Sequence, residues 1–395
     1  MNRRDFILVG AASGLFPTAV GTTASRSTRA ASATDTISVA CGRRVVNQGQ
    51  YDDGSTPATP PTYEPVTKSV DRTTVEEIRA GREATRKLRR RLDGITDLRS
   101  AARGDSGLRV SRQSTDDGVR LVVDSPSGMG TDRFEEFVGA ITGGLTEMAE
   151  QRLGDRGTVD VQVRDRPTER LEADCQHTIG RFSDAQYRER GVAMGAAARS
   201  ETVGEIASTG FRGLRDGRAV AITTAHTFAS EDDYDPADIR GAELYQSRQP
   251  HAIGRCYAAG EIVDAAAVAV GTDTYPSRYL ADPGGNSYDG RPIVGVATWN
   301  ALEAAHAEGT PIYKQGAVSG RCAGRITELT EIADGHRELG VDIHSTGGDS
   351  GGPYFLETDD GLLVAGIHKG YRSETGQRRA IFVGSVLDAL GVDFY

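Results

Sequence analysis

One glycine-dense segment near the C-terminus constrains this chain more than any other feature. Residues 345–353 read Ser-Thr-Gly-Gly-Asp-Ser-Gly-Gly-Pro and lead directly into the apolar run Tyr354-Phe355-Leu356. Glycines let the backbone turn where a Cβ would clash, so the serine between them, Ser350, can be presented by a sharp loop. A nucleophilic serine needs this setting, because backbone N–H groups must receive the oxyanion of a tetrahedral intermediate. The segment therefore predicts a nucleophile loop that leads into a strand.

Two upstream segments supply the partners that a nucleophilic serine requires. The β-branched run that begins at Val220 ends at His226, and His226 is the only one of the seven histidines in such a context. Asp264 precedes the small apolar residues 265–270. The order His226, Asp264, Ser350, with spacings of 38 and 86 residues, predicts a catalytic triad. In such a triad the histidine takes the serine proton and the aspartate orients the imidazole.

These motifs resemble chymotrypsin-like serine proteases, closest to the bacterial streptogrisin, α-lytic and glutamyl endopeptidase types. The resemblance covers residues 195–395, about half of the chain. It implies an all-β fold, a double six-stranded antiparallel β-barrel with a C-terminal helix and the site between the barrels. It implies peptide-bond hydrolysis through an acyl-enzyme, with the backbone N–H groups of Gly348 and Ser350 as oxyanion donors. It further implies that Asp349 is buried and ion-paired rather than catalytic.

The resemblance also locates a substrate-binding segment after the nucleophile. Residues 364–370 match the strand that hydrogen-bonds the substrate backbone in this family, with Lys369 where a serine is usual. His368 resembles the histidine in the Gly-Ile-His of glutamyl endopeptidases, and Thr346 lies at a similar pocket position. The predicted substrate-binding residues are thus Thr346, His368, Lys369 and Gly370. A cationic His368 or Lys369 would neutralise a bound carboxylate, which predicts cleavage after Glu or Asp. The alternative is that His368 packs internally and Lys369 points to solvent.

The N-terminus reads as a targeting segment. Arg3 and Arg4 stand directly before an apolar, Gly/Ala-rich stretch, a pattern that resembles a twin-arginine export signal over residues 1–33. Cleavage could follow Ala24 or fall at residues 31–33. The stretch is too short and too interrupted by Gly, Ser and Pro for a stable membrane span. The expected localisation is therefore secreted.

Three segments connect the signal to the protease region. Residues 34–69 are rich in Pro, Thr and Gly and predict a disordered linker. Residues 70–165 predict a small α+β module with a helix at 71–94, a hairpin, a helix at 131–152 and a third strand. Residues 166–194 form a connecting segment.

The resemblance implies that the α+β module is a pro-region, which makes the protein a zymogen cut by itself within the connecting segment. The alternative is a permanent adaptor on a catalytically impaired, chaperone-like binding protein whose Lys369 blocks substrate. The partners expected are a polypeptide substrate and the chain's own pro-region. A monomer is expected.

Composition restricts the class of protein further. The net charge of −10 argues against nucleic-acid binding, which needs clustered Lys and Arg. Only four of the 46 basic residues are lysines, a composition expected of a halophilic protein, although GC bias in the gene would also replace Lys by Arg. The acidity belongs to residues 201–395, which hold 28 acidic and 16 basic residues. No motif predicts a cofactor or metal, and the pairing of Cys41, Cys175, Cys256 and Cys322 is open.

Overall fold

Strands, most of them paired antiparallel, make up more than half of the residues that the structure describes, as the sequence predicts. The predicted export signal at 1–33 lies outside the residues that the computed structural model describes, as does most of the predicted helix 131–152. Within the described residues, no helix is long and apolar enough to cross a membrane. The structure describes residues 36–48, 59–93, 109–115, 118–124, 138–139, 142, 158–164, 169–171, 192–200, 202–229, 234–246, 252–271, 276–281, 288–372 and 377–395.

A β-hairpin opens the described chain, and it corrects one prediction. The strands β1, Thr36–Val45, and β2, Tyr63–Asp71, pair antiparallel over nearly their whole length. The disordered linker predicted at 34–69 is therefore wrong wherever the structure describes this segment. The Pro and Gly content that suggested disorder is a local property, whereas a strand is stabilised by the neighbours it packs against. β1 has such a neighbour in a later strand.

The predicted α+β elements follow the hairpin. Helix α1, Arg72–Asp93, confirms the predicted helix, and the hairpin and third strand are also found. Its Ala84, Leu88 and Leu92 are fully buried against the small sheet. The third strand of this sheet runs parallel to the second. The strands up to the first barrel are β3 Arg109–Thr115, β4 Gly118–Asp124, β5 Thr158–Arg164, β6 Glu169–Leu171 and β7 Val192–Met194.

The first barrel carries two of the predicted catalytic residues. Its hydrogen-bonded order is β8-β12-β13-β14-β11-β10, with β9 beside β8. β9 and β10 are two halves of one bent segment: the first half pairs with β8 and the second with β11, which closes the barrel. The strands are β8 Ala197–Ser200, β9 Ile206–Ser208, β10 Arg212–Arg215, β11 Arg218–Thr223, β12 Glu243–Gln246, β13 Ala252–Gly260 and β14 Ala265–Val270.

Two strands and a helix connect the barrels. β16 pairs with β15 and β1, and it also lies parallel to a strand of the second barrel. The helix α2 begins after Thr298, whose side-chain oxygen accepts a hydrogen bond from the backbone N–H of Ala301. It ends at Gly309, which has a left-handed conformation with φ 66°. These elements are β15 Pro276–Ala281, β16 Tyr288–Ala297 and α2 Trp299–Glu308.

The second barrel is a closed antiparallel ring, in the order β17-β18-β19-β22-β21-β20 and back to β17. The predicted double-barrel fold is thus confirmed, including the closing helix α3 at residues 383–390. β3 adds to the outside of β18, so the small sheet continues this barrel's sheet. The elements are β17 Ile312–Gly316, β18 Gly320–Glu331, β19 Arg337–Asp342, β20 Pro353–Thr358, β21 Gly361–Arg372, β22 Arg378–Phe382, α3 Val383–Leu390 and β23 Asp393–Phe394.

Candidate active site

His226 lies in the turn that directly follows β11. The β-branched residues make β11 a strand that is buried from Val220 onward and paired with β14. The chain then forms one 3-10 turn, Ala225–Thr227, in which the side chain of His226 is only 6% exposed. The end of a rigid strand thus fixes the position of the imidazole.

Asp264 occupies the tight turn between β13 and β14 and contacts His226 twice. Its Oδ2 is 2.7 Å from His226 Nδ1, and its Oδ1 accepts the backbone N–H of His226 at 3.0 Å. The residue has a left-handed backbone with φ 42°, which is uncommon for a residue other than glycine although Asp tolerates it. Its carbonyl accepts the N–H of Ala225 at 3.2 Å, which helps to hold this conformation. Backbone strain of this kind clusters at functional sites.

Ser350 lies in the glycine loop that precedes β20, and this loop packs against the strand that leads to His226. Gly351 has φ 86°, and a Cβ there would lie 2.3 Å from the carbonyl oxygen of Ser208 and 2.4 Å from Thr223 Oγ1. Only glycine fits so close an approach. The carbonyl of Ser350 accepts the N–H of Ser208 at 2.7 Å. The structure therefore brings the loop of Ser350 to the strand that carries His226.

The hydrogen bonds around the predicted oxyanion donors fix the loop further. Gly348 has φ 92°, and its carbonyl accepts a hydrogen bond from Ser208 Oγ at 2.8 Å. The side chain of Ser350 is 1% exposed. The Nε2 of His226 is buried and makes no hydrogen bond to any residue that the structure describes. A catalytic serine–histidine hydrogen bond is often long without substrate, so this geometry is compatible with the predicted triad.

Asp349 is fully buried beneath the nucleophile loop, where the resemblance placed it. Its Oδ2 lies 2.5 Å from the Nζ of Lys314, which is fully buried as well, and 2.5 Å from Ser319 Oγ. Backbone N–H groups of Val318 and Ser319 donate to its Oδ1 at 3.1 and 3.0 Å. Burial alone raises the pKa of this carboxyl, but Lys314 and the hydrogen bonds hold it below its usual value.

Two residues of the site were missed by sequence reasoning. Lys314 comes from β17 and lies 35 residues before Asp349, so no local motif joins them; only its rarity as a lysine distinguishes it. Tyr234 donates its hydroxyl to Asp264 Oδ1 at 3.4 Å, from a segment after the histidine turn. Burial, followed by the charge of Asp264, raises the pKa of Tyr234 well above its usual range, so the hydroxyl stays a donor.

The predicted substrate-binding residues have separate environments. His368 is fully buried, and its Nδ1 is 3.1 Å from the hydroxyl of Tyr354. The Nζ of Lys369 is 3.4 Å from Glu338, and its side chain is 14% exposed, so Lys369 does not point freely to solvent. Thr346 is half-buried and its backbone N–H donates to Asp349 at 3.1 Å.

The position of Lys369 bears on the alternative of a blocked, chaperone-like protein. Glu338 is buried and also pairs with Arg379, whose guanidinium lies 3.6 Å from Glu328. Lys369 thus belongs to a row of buried charges with two acids and two bases. Its ammonium group is engaged by an acid of the barrel, and no observation favours it as a block.

Gly370 lies at a strand edge that is already paired. The short strand β6 runs antiparallel to the end of β21, with Gly370 opposite Leu171 and Tyr371 opposite Arg170. Residues 169–171 of the predicted connecting segment therefore lie along the end of the strand that the resemblance assigns to substrate. On the same edge of this strand, the carbonyl of His368 accepts the N–H of Gly351, directly after Ser350.

The cysteines and possible metal ligands add no further chemistry. Cys41, Cys256 and Cys322 are free thiols, and Cys175 lies outside the described residues. Burial raises the pKa of Cys256 to about 11, so this thiol stays protonated. Within the described ranges, no group of three or more His, Cys, Asp and Glu side chains could hold a metal ion.

Comparison with known proteins gives structural similarity alone. No protein-family model and no curated protein matches the chain. A glutamic acid specific serine protease, described as using a novel histidine triad in substrate binding, is matched over 100% of its length and 52% of this chain, at 21% identity and a TM-score of 0.38. An α-lytic protease homolog, N4, is matched over 100% of its length and 52% of this chain, at 19% identity and a TM-score of 0.35. Protease A of Thermobifida fusca is matched over 97% of its length and 51% of this chain, at 17% identity and a TM-score of 0.35. The chemistry of the site must therefore be argued from this chain's own geometry.

Proposed function

We propose that this protein is a serine endopeptidase with the triad His226, Asp264 and Ser350. The observation that carries the proposal is the 2.7 Å contact between His226 Nδ1 and Asp264, next to a glycine loop that presents Ser350. The carboxylate keeps the imidazole proton on Nδ1, which leaves Nε2 as the proton acceptor. Asp264 is buried and strained and accepts two hydrogen bonds from His226, which suits an aspartate that orients the imidazole.

The reaction follows from these roles. Ser350 Oγ attacks the carbonyl carbon of the scissile bond while His226 Nε2 takes its proton. The N–H groups of Gly348 and Ser350 stabilise the oxyanion. The C–N bond then breaks and His226 returns the proton to the leaving amine. Water adds to the acyl-enzyme by the same route, releasing the new carboxyl terminus and free Ser350.

We further propose a preference for Glu or Asp before the scissile bond, with His368 as the recognition residue. If the Tyr354 hydroxyl donates to Nδ1, a neutral His368 carries its proton on Nε2. That N–H is a donor for a substrate carboxylate. Protonation of His368 on binding would add a charge to this hydrogen bond and strengthen it.

The pairing of β6 supports self-cleavage in the connecting segment. β6 runs antiparallel to β21 toward the nucleophile loop, which is the way an extended peptide adds to a sheet edge. The residue that follows β6 in the sequence is Glu172, which lies outside the described residues. An acidic residue there agrees with the proposed preference, so we place the first cut after Glu172.

On this proposal the α+β module acts as a pro-region that occupies the substrate edge until the chain is cut. The acidity of residues 201–395 agrees with the predicted adaptation to salt. Adaptation to salt and export both stay predictions. N-terminal sequencing of the secreted protein tests the export signal and the cut together. We expect one new terminus at Ala173; a terminus that persists in the Ser350→Ala variant would assign the cut to another enzyme.

A peptide panel tests the specificity. Peptides that differ only in the residue before the scissile bond should be cut at least tenfold faster with Glu than with Gln, Phe or Arg. Tyr354→Phe should reduce this ratio, because it removes the partner of His368 Nδ1, while Tyr313→Phe on the neighbouring strand serves as the control. Equal rates for Glu and Gln would disprove the acidic preference and leave the triad untouched.

A further inference from the structure

The hairpin β1–β2 joins the catalytic part of the molecule along a tightly fitted seam. Residues Gly42 to Arg44 pair antiparallel with residues 295–297 of β16. A Cβ on Gly295 would lie 2.1 Å from the carbonyl oxygen of Arg43, and one on Gly42 would lie 2.6 Å from Leu363. Glycine thus permits close approach on both sides of the seam. Without β1, that stretch of β16 would present an open strand edge.

Side chains of the hairpin also enter the core of the catalytic part. Val45 is 3% exposed and belongs to the core that contains both barrels' residues, and Tyr63 packs against the same core. The Tyr63 hydroxyl donates to the carbonyl of Phe394 at 2.6 Å. The side chain of Gln48, just after β1, donates to the carbonyl of Ile293 at 2.9 Å. The hairpin therefore contributes side chains to the hydrophobic core of the catalytic part, as a strand inside a domain does.

The start of α2 depends on the hairpin as well. Thr298, which caps this helix, donates its backbone N–H to the carbonyl of Cys41 at 3.0 Å and its hydroxyl to the carbonyl of Ala40 at 2.8 Å. Two ion pairs flank the seam, Arg44 with Asp360 at 2.9 Å and Lys68 with Glu308 at 2.6 Å. Loss of the hairpin would leave the first turn of α2 without these anchors.

The α+β module contacts the catalytic part in two ways, because β3 pairs with β18 and charged side chains of α1 and β3 meet α2. There Glu303 of α2 receives Arg82 of α1 and Arg112 of β3, the latter at 2.5 Å. Burial, followed by the neighbouring charges of Arg82 and Arg337, lowers the pKa of Arg112 to about 9. Helix α1 of this module follows β2 without a gap, so it stays joined to the hairpin.

We infer that the hairpin Thr36–Asp71 is a permanent part of the catalytic unit, and that the mature enzyme keeps it as a second, non-covalently bound chain. This inference rests on the proposed function only for the cut that separates the chains. Its partner is the surface formed by β16, the start of α2 and the C-terminal Phe394. Removal of the whole N-terminal half, as the resemblance implies, would expose that surface.

The test uses the full chain with Ser350→Ala, so that it does not depend on the enzyme's own activity. Recognition sequences for an external sequence-specific protease are inserted within residues 94–108 and within residues 172–191. Cutting both gives a hairpin piece that includes α1, a module piece with β3 to β6 and a catalytic piece, which are separated by native size exclusion and identified by mass. We expect the hairpin piece to elute with the catalytic piece at both low and high salt. A hairpin piece that elutes alone, or leaves with the module, would overturn the inference.

A matched glycine pair keeps the test specific for the seam. Gly295→Ala places a Cβ against backbone at 2.1 Å, whereas the control Gly271→Ala meets its nearest atom at 3.8 Å. In the twice-cut protein we expect Gly295→Ala to weaken retention of the hairpin piece at least tenfold and Gly271→Ala to leave it unchanged. Equal retention in both variants would contradict the seam, even if the wild-type pieces stay together. If wild-type enzyme fails to cut itself, the self-cleavage proposal fails while this result stands.

Discussion

Two buried aspartates lie at the candidate site, and they differ in their charged partners, their hydrogen bonds and their backbone conformation. Asp264 of the first barrel pairs with a histidine, accepts a tyrosine hydroxyl and has a left-handed backbone. Asp349 of the second barrel pairs with a buried lysine and accepts hydrogen bonds from backbone and serine groups. The first carboxylate contacts an imidazole, the side chain most often used in general acid–base catalysis, and the second contacts an ammonium cation.

The difference shows how one site can be rigid and reactive at once. Lys314 and Asp349 compensate each other's charge, so they hold the glycine loop without taking part in proton transfer. In the proposed mechanism, Asp264 faces a group that gains and loses a proton during each turnover. We therefore expect changes at Asp264 to affect activity, and changes at the Lys314–Asp349 pair to affect folding.

The largest expected effect is on activity, at Asp264. Asp264→Asn should lower kcat by about 10⁴-fold, because the wrong histidine tautomer is favoured. The variant should unfold at nearly the wild-type denaturant concentration. Asp216→Asn is the matched control, since Asp216 also has a positive φ, 50°, but is exposed. If both variants lost activity, the effect would come from the backbone conformation and not from the contact with His226. The proposed difference between Asp264 and Asp349 would then be wrong.

The next effect is on stability, at Lys314. Lys314→Met leaves Asp349 buried without its cation and should cost about 3–5 kcal/mol of unfolding free energy. Urea denaturation in the Ser350→Ala background measures this without self-cleavage. The double variant Lys314→Met/Asp349→Asn should recover part of the loss, since no unpaired charge remains. Full additivity of the two changes would show that the pair is not coupled.

A third buried group, His306, contacts a backbone carbonyl. Its Nδ1 is 2.8 Å from the carbonyl of Ile326, and burial lowers its pKa to about 4, while the charges of Arg112 and Glu328 act on it in opposite directions. The unfolded chain binds a proton near pH 6.5 and the folded chain does not, so stability should fall as pH drops from about 6.5 to 4.

Urea unfolding at pH 7 and pH 4.5 measures that loss, which should be about 2–3 kcal/mol. His306→Gln keeps a donor for Ile326 and should abolish most of the pH dependence in this window. Asp349 contributes in a different range, because its pKa is lowered: its stabilisation is present above the usual carboxyl pKa and is lost at still lower pH. An unchanged pH slope in His306→Gln would refute this assignment.

The smallest effect concerns Tyr234. Tyr234→Phe removes a donor to Asp264 and should cost about 1 kcal/mol in kcat/KM, or less than tenfold. Tyr257→Phe, which removes an exposed hydroxyl bound to Asp216, is the control. A kcat/KM equal to that of the wild type would show that the hydroxyl of Tyr234 does not support Asp264.

The sequence predicted the triad because each member lies in a local context with a physical meaning. His226 ends a β-branched strand, Asp264 precedes one, and Ser350 lies between glycines. The partners Lys314 and Tyr234 come from distant segments, and no local pattern joins them to the aspartates. The same limit applies to the hairpin. Its linker-like composition is local, but its pairing with β16 exists only in the folded chain.

Each of the four lysines of this lysine-poor chain pairs with an acid. Lys68, Lys87, Lys314 and Lys369 each have an acid within 4 Å: Glu308, Glu83, Asp349 and Glu338. Composition alone suggested adaptation to salt or a bias in the gene. The structure adds that two of the four, Lys314 and Lys369, pair with buried acids within the second barrel.

The most direct test of the triad is labelling by a peptidyl phosphonate with Glu at the recognition position. The reagent forms a covalent bond only with an activated serine, so mass spectrometry should find one label per chain, on Ser350. Labelling should be absent in Ser350→Ala and strongly slowed in Asp264→Asn, while Asp216→Asn should label at the wild-type rate. Label that persists in Ser350→Ala, or a wild-type protein that takes none from phosphonates of any side-chain class, would contradict the assignment of a serine protease.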